Sequence, residues 1–300
     1  MNSRFAKGVL FVILGAACYG MLGVLIKKGG ADGYSTGELA FAQNGMGLLG
    51  LLLLNIFQRV KKRDRYPRFA LKTKRQLILG GIPFGLTSSF YYLSLSYTSV
   101  SISIVMLMQS VWIGSAIDYF VNGNKPSRNK LLAIGIILAG TVLATNLIST
   151  SQDISWTGIF WGFISALSYS GSLYVTNNIA KDYPPFVRSL YIIVGAFCTV
   201  TLIWGYSLWQ HFDVSVLWRW GLITALFGTI LSPLLFTRGM PVVGIALGSI
   251  LASIELPVAV VVARIFLGEV VGWIQWIGIL LILLAVVLMN ISFFKPVKSD

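Results

Sequence analysis

Ile279-Leu280-Leu281-Ile282-Leu283-Leu284-Ala285-Val286-Val287-Leu288 contains no polar side chain, and Leu48-Leu49-Gly50-Leu51-Leu52-Leu53-Leu54 reads the same way. A transmembrane β-strand alternates apolar and polar positions over about ten residues. These runs are continuous, so the chain reads as all-α. A bilayer core about 30 Å thick needs roughly 20 mostly apolar residues per spanning helix. Stretches of that kind recur along the whole chain, at 6–28, 37–58, 74–97, 99–121, 128–148, 154–179, 186–209, 216–239, 241–266 and 271–294. The expectation is an integral membrane protein with ten transmembrane helices and no separate soluble domain.

Composition agrees. Hydrophobic residues make up 56% of the 300-residue chain and charged residues only 11%, against about a quarter charged in soluble domains. Arg4 and Lys7 ahead of an apolar run imitate a secretory signal, but the run is too long and lacks a cleavage site, so it is read as a retained first helix. Cys18 and Cys198 both fall inside spans, which points to packing rather than to a disulfide or zinc site. No metal and no cofactor is expected.

The net charge of +13 is distributed as a topology signal, not as a nucleic-acid surface. Arg59, Lys61, Lys62, Arg63, Arg65, Arg68, Lys72, Lys74 and Arg75 crowd the second connection. Basic loops stay cytoplasmic. Arg4, Lys7, Lys125, Arg128, Lys130, Lys181, Arg188, Arg238, Lys295 and Lys298 then fall on the same side, leaving Lys27, Lys28, Arg219 and Arg264. Both termini are expected to be cytoplasmic.

The two halves repeat. Gly8 and Tyr19 recur as Gly158 and Tyr169, and Ala133-Ile134-Gly135-Ile136-Ile137-Leu138 recurs as Trp276-Ile277-Gly278-Ile279-Leu280-Leu281. Five spans per copy is odd, so the second copy enters the membrane from the opposite side. A 5+5 inverted repeat of this kind is an architecture of secondary transporters, with the substrate site near the midplane. The halves are taken as 6–148 and 154–294.

The second half resembles an EamA domain of the drug/metabolite transporter superfamily through Gly244-x-Ala246, Gly248-Ser249, Pro257, Phe266-Leu267-Gly268-Glu269 and Gly278-Ile279-Leu280-Leu281-Ile282-Leu283. The first half is similar, with Asn124 in place of the loop glutamate and Trp112 in place of a proline; Glu269 is accordingly given no coupling role. The resemblance implies two consecutive EamA units around a central cavity in a bacterial inner membrane. It also implies transport, commonly outward, of amino acids, related metabolites or drug-like solutes.

Glu255 is the most informative residue, because a carboxylate at mid-membrane depth is expensive and is a functional hypothesis by default. It could carry a coupling proton or bind a cationic group; the structural alternative is a hydrogen bond to a neighbouring helix. Gln109 and Trp112 share a helical face with Val105 and Ala116, to be read as cavity lining or as interhelical contact. Tyr19 and Tyr169 occupy equivalent positions, and Ser88 and Tyr91 offer polar groups in the third span; close packing is the competing account of these. Gln43 and Asn44 are read as packing, Asp118 as pairing with a loop lysine, and Trp204, Trp209, Trp218, Trp220 and Trp273 as interfacial anchors. Pro83, Pro233 and Pro257 are candidate bends, read as unrelated between the halves.

An integral membrane enzyme is the first competing reading, but the chain has a single histidine, His211, and no acid–base motif. A receptor or scaffold without flux leaves the repeat and Glu255 unexplained. The expected partners are a small-molecule substrate and the lipid bilayer, with no nucleic acid; a homodimer is left open.

Overall fold

The structure is a computed structural model that describes residues 3–61, 70–98, 100–144, 155–268 and 271–293. Its helices, in chain order, are α1 (Ser3–Gly20 and Leu22–Ala31), α2 (Thr36–Lys61), α3 (Leu71–Leu79 and Ile82–Tyr97), α4 (Val100–Leu107 and Ser110–Asn122), α5 (Arg128–Ala144), α6 (Trp156–Asn178), α7 (Pro185–Gln210), α8 (Leu217–Val243), α9 (Ile245–Ala252 and Glu255–Leu267) and α10 (Trp273–Phe293). Among the described residues there is no strand. Lys62, Arg63, Arg65 and Arg68 of the basic loop, Glu269, Lys295 and Lys298 lie outside the described residues.

Local chemistry sets the ends. At the start of α2 the Ser35 N–H donates to Glu38 Oε2 (2.8 Å) and the Glu38 N–H to Ser35 Oγ (3.3 Å), a reciprocal capping box. Helices α4 and α9 both stop at a left-handed glycine, Gly123 (φ 71°) and Gly268 (φ 67°), where a Cβ would be strained. Between α8 and α9 the chain turns at Gly244 (φ 81°), so α8 runs past the expected end at 239 and carries Pro241 in its last turn.

Helices α4 and α9 are interrupted at matching places. In α9 Pro257 cannot donate to the Ser253 carbonyl, and the Leu256 N–H takes that oxygen instead (3.2 Å). In α4, without a proline, the Val111 N–H bonds Met108 O (3.1 Å) in the same tightened pattern. The discontinuity therefore belongs to the architecture rather than to one proline.

Packing displays the repeat. Helix α3 lies on α6 as α8 lies on α1; α2 meets α8 as α7 meets α3; α4 meets α6 as α9 meets α1. The pairs α2–α7, α4–α9 and α5–α10 map onto themselves when the halves are exchanged. The halves of odd helix number thus stand in opposite orientation. One departure stands out: α6 packs on α8, whereas α1 and α3 make no comparable contact. Helices α5 and α10 cross at Gly140 and Gly278, so closely that a Cβ on Gly278 would lie 2.3 Å from Ala144 N. Small residues at such crossings replace the hydrophobic drive that lipid cannot supply.

The outer surface is apolar, with Leu53, Phe57, Leu202 and Tyr206 exposed, as a lipid-facing surface requires. Trp209, Trp218 and Trp273 are exposed near helix ends. Trp204 and Trp220 are not free anchors: their indole N–H groups donate to Ser89 Oγ (3.2 Å) and Asp32 Oδ2 (2.9 Å). Asp118 is buried and accepts from Asn122 and Asn124 Nδ2 (2.8 and 3.1 Å). It is held by its own loop instead of by a lysine.

Candidate functional site

Between the two halves lies a cavity of about 20 Å³, about the space of one water molecule. Tyr19 and Leu22 of α1, Gln43 of α2, Thr87, Ser88, Tyr91 and Tyr92 of α3, Leu107 of α4, Tyr169 of α6 and Glu255 of α9 line it. No basic side chain is among these lining residues.

Each side chain reaches the cavity for a local reason. Tyr19 and Tyr169, equivalent in the repeat, meet with ring centroids 5.7 Å apart, and Tyr19 also stacks on Phe236 at 6.1 Å. Thr87 Oγ1 donates to Pro83 O (2.7 Å) and Ser88 Oγ to Gly85 O (3.1 Å), so both hydroxyls are satisfied within α3. The Tyr92 hydroxyl donates to Gln43 Oε1, which links α3 to α2. Glu255 opens the second segment of α9, where the positive end of the helix favours a carboxylate.

Two buried polar atoms at the cavity have no hydrogen-bond partner among the described residues: the Tyr169 hydroxyl and Glu255 Oε2. Glu255 is only 6% exposed. The hydroxyl faces the Glu255 side chain closely enough for the two to interact, although no well-formed hydrogen bond joins them. Leaving such groups unsatisfied costs about 1–3 kcal/mol each, more when charged, which marks them as groups awaiting a ligand, a proton or a small movement.

Glu255, Tyr19, Tyr169, Tyr91 and Ser88 are thus brought together. Gln109 and Trp112 are not. Trp112 is 39% exposed on the outer surface, and its indole N–H donates to Gln109 Oε1 (2.9 Å). Gln109 Nε2 donates to Val105 O (3.1 Å). The interruption at Met108–Gln109 explains this: it turns Leu107, Met108 and Val111 inward and leaves Gln109 to satisfy a backbone carbonyl beside the break. Gln43 and Tyr92 are additions to the expected set. Gln43 has a readable signal, an amide at mid-depth, but its bond to Tyr92 joins residues far apart in sequence.

The profile of the EamA-like transporter family matches residues 6–146 and 156–291. The chain belongs to the EamA-like transporter family. This EamA-like chain therefore carries the family signature twice, once in each half. Comparison with curated proteins finds no match. A solved structure described only as "Crystal structure of protein" is similar in fold, with TM-score 0.79 at 13% identity, over 97% of this chain and 100% of its own. The fold of the EamA-like chain is therefore one already seen by experiment.

Proposed function

We propose that this protein is a secondary transporter of small amphipathic solutes, in the manner of amino acids, related metabolites or drug-like molecules, acting as an exporter from a bacterial cytoplasm. The observation that carries the reading is a buried Glu255 carboxyl facing the Tyr169 hydroxyl, with no well-formed hydrogen bond between them, in a tyrosine-walled cavity between inverted repeats. A carboxylate among aromatic faces suits a cationic group carried on an apolar body, through charge pairing and cation–π attraction. A solute cation and a proton compete for the same Glu255 oxygens, so binding one releases the other. This gives coupling to a proton gradient without a further cofactor. The cavity in its present form is too small for such a solute, so binding requires the helices around it to part, and the interrupted α4 and α9 supply bends at the right depth.

The test is a thermal-shift screen of the detergent-purified protein and Glu255→Gln against amino acids, nucleobases, vitamins and cationic drugs at two pH values, followed by flux of each hit in proteoliposomes. A ligand of the folded state raises apparent stability with concentration. The expected result is a cationic hit lost in Glu255→Gln, with pH-dependent flux in the parent alone. Unchanged pH-dependent flux in Glu255→Gln overturns the coupling role, and binding without flux overturns transport.

A further inference from the structure

Arg188, which the charge pattern assigns to a loop, is 1% exposed in the first turns of α7. Its Nη1 donates to Thr237 O (2.8 Å) and its Nη2 to Thr176 O (2.6 Å). Both acceptors are orphans in the sense that matters at helix ends. Thr176 lies in the last turn of α6, and Thr237 is the carbonyl to which Pro241 has no N–H to give. One guanidinium therefore joins the ends of α6 and α8 to the start of α7, and a cation suits the negative end of a helix. Ser189 Oγ, beside it, bonds Thr237 Oγ1 (3.1 Å). Arg238 lies over the Phe186 ring at 4.8 Å on the same face of the molecule, the face that carries the N-terminus.

Among the described residues the other half has no guanidinium clamping two helix-end carbonyls at the equivalent place. A displacement of 150 residues, the spacing of Tyr19 and Tyr169, carries Thr176 to Ile26, Ser189 to Leu39 and Arg188 to Glu38. Ile26 and Leu39 line an open vestibule of about 260 Å³ between α1, α2 and α3, on the face opposite the N-terminus. Glu38 turns away from it, toward Ser35 and the Asp213 N–H (2.7 Å). Tyr92 lines both the vestibule and the central cavity.

With the central cavity taken as the solute path proposed above, we infer that Tyr92, held by Gln43, is the door between vestibule and cavity, and that Arg188 is the bolt that shuts the cavity from the N-terminal face. The protein as seen here opens toward the vestibule side, the side on which an exporter releases its solute. Passage to the other side requires the Arg188 bonds to Thr176 and Thr237 to break while the gap between α1 and α3 closes.

The experiment uses the full chain with Cys18→Ala and Cys198→Ala, a Ser88→Cys reporter in the cavity, and sided vesicles treated from either face with a charged, membrane-impermeant methanethiosulfonate. The reporter is expected to react from the vestibule face and not from the N-terminal face. Tyr92→Phe, which keeps the ring and removes one hydrogen bond, speeds labelling from the vestibule face about fivefold. Arg188→Met makes the reporter reactive from the N-terminal face. Arg188→Lys, which cannot span both carbonyls, does so to a smaller degree and serves if Arg188→Met does not fold. Faster or equal labelling from the N-terminal face in the parent overturns the inference. So does an unchanged rate in Tyr92→Phe, or an N-terminal face that stays closed in folded Arg188 variants. Sidedness that fails while solute flux persists refutes the gates alone; sidedness that holds without flux refutes the transport reading alone.

Discussion

Glu255 and Tyr169 each bring an unpaired polar atom to one cavity, and their removal should act in opposite directions on stability and on function. Tyr169→Phe deletes a buried hydroxyl that makes no well-formed hydrogen bond, so the ligand-free protein should melt no lower than the parent, and up to about 1 kcal/mol more stable. The same change should weaken solute binding, seen as a smaller ligand-induced thermal shift. A lower melting temperature with an unchanged shift would make the hydroxyl structural. Glu255→Gln keeps size and shape but cannot hold a charge; solute affinity should fall at least about tenfold, the loss of one charge-assisted contact. Glu255 is legible because ionisable groups are rare at mid-membrane, and Tyr19 and Tyr169 because the repeat places them together. Gln109 is misplaced by sequence because its depth can be read there, while the direction of its helical face depends on a break that has no proline to announce it. Tyr91 and Tyr92 both line the cavity, but sequence alone does not tell which of two adjacent phenols reaches Gln43.

Helix ends and interruptions are partly written in the chain. Ser35 with Glu38, and the glycines at 123 and 268, are punctuation of a recognised kind. Pro83 and Pro233 are spaced by 150 residues, as Tyr19 and Tyr169 are, so they are equivalent and not unrelated bends. Each stands in the first turn of an α-helical segment, Ile82–Tyr97 and Ser232–Val243. Ahead of Pro83 the chain breaks at Gly80–Gly81, and ahead of Pro233 it widens to π-helical bonding at Ala225–Leu231. One missing N–H is thus absorbed in two ways. The α5–α10 crossing gives the prediction at this scale: Gly278→Ala sets a methyl against the Ala144 backbone and should destabilise by about 1–3 kcal/mol, read as a lower melting temperature in detergent. Gly135→Ala, whose Cβ meets nothing within 4 Å, should leave the melting temperature unchanged or raise it. Equal effects at both positions would show that contact at the crossing does not matter.

Across the whole molecule the hydropathy pattern is sufficient for the helices and the repeat for their arrangement, since lipid leaves few other ways to satisfy the backbone. The charge distribution predicts that both termini face the cytoplasm: a fluorescent protein that matures only in the cytoplasm should be bright at either end, and a periplasm-dependent enzyme reporter should be silent at both. The reverse pattern would invert every assignment of inside and outside made from charge. Sequence does not show that the halves differ in state, because that difference lies in which gaps are filled.

Two interchangeable halves would form a balance with equal arms, resting as often on one side of the membrane as on the other. Glu38 and Arg188 occupy the same place in the two halves and carry opposite charge, so the arms are unequal. An imbalance of about 1.4 kcal/mol between the two resting states is a tenfold preference, and a single guanidinium on two carbonyls is of that order. The side on which this protein waits is therefore set by residues that never touch its cargo, and its idle posture can be retuned by mutation without altering what it recognises.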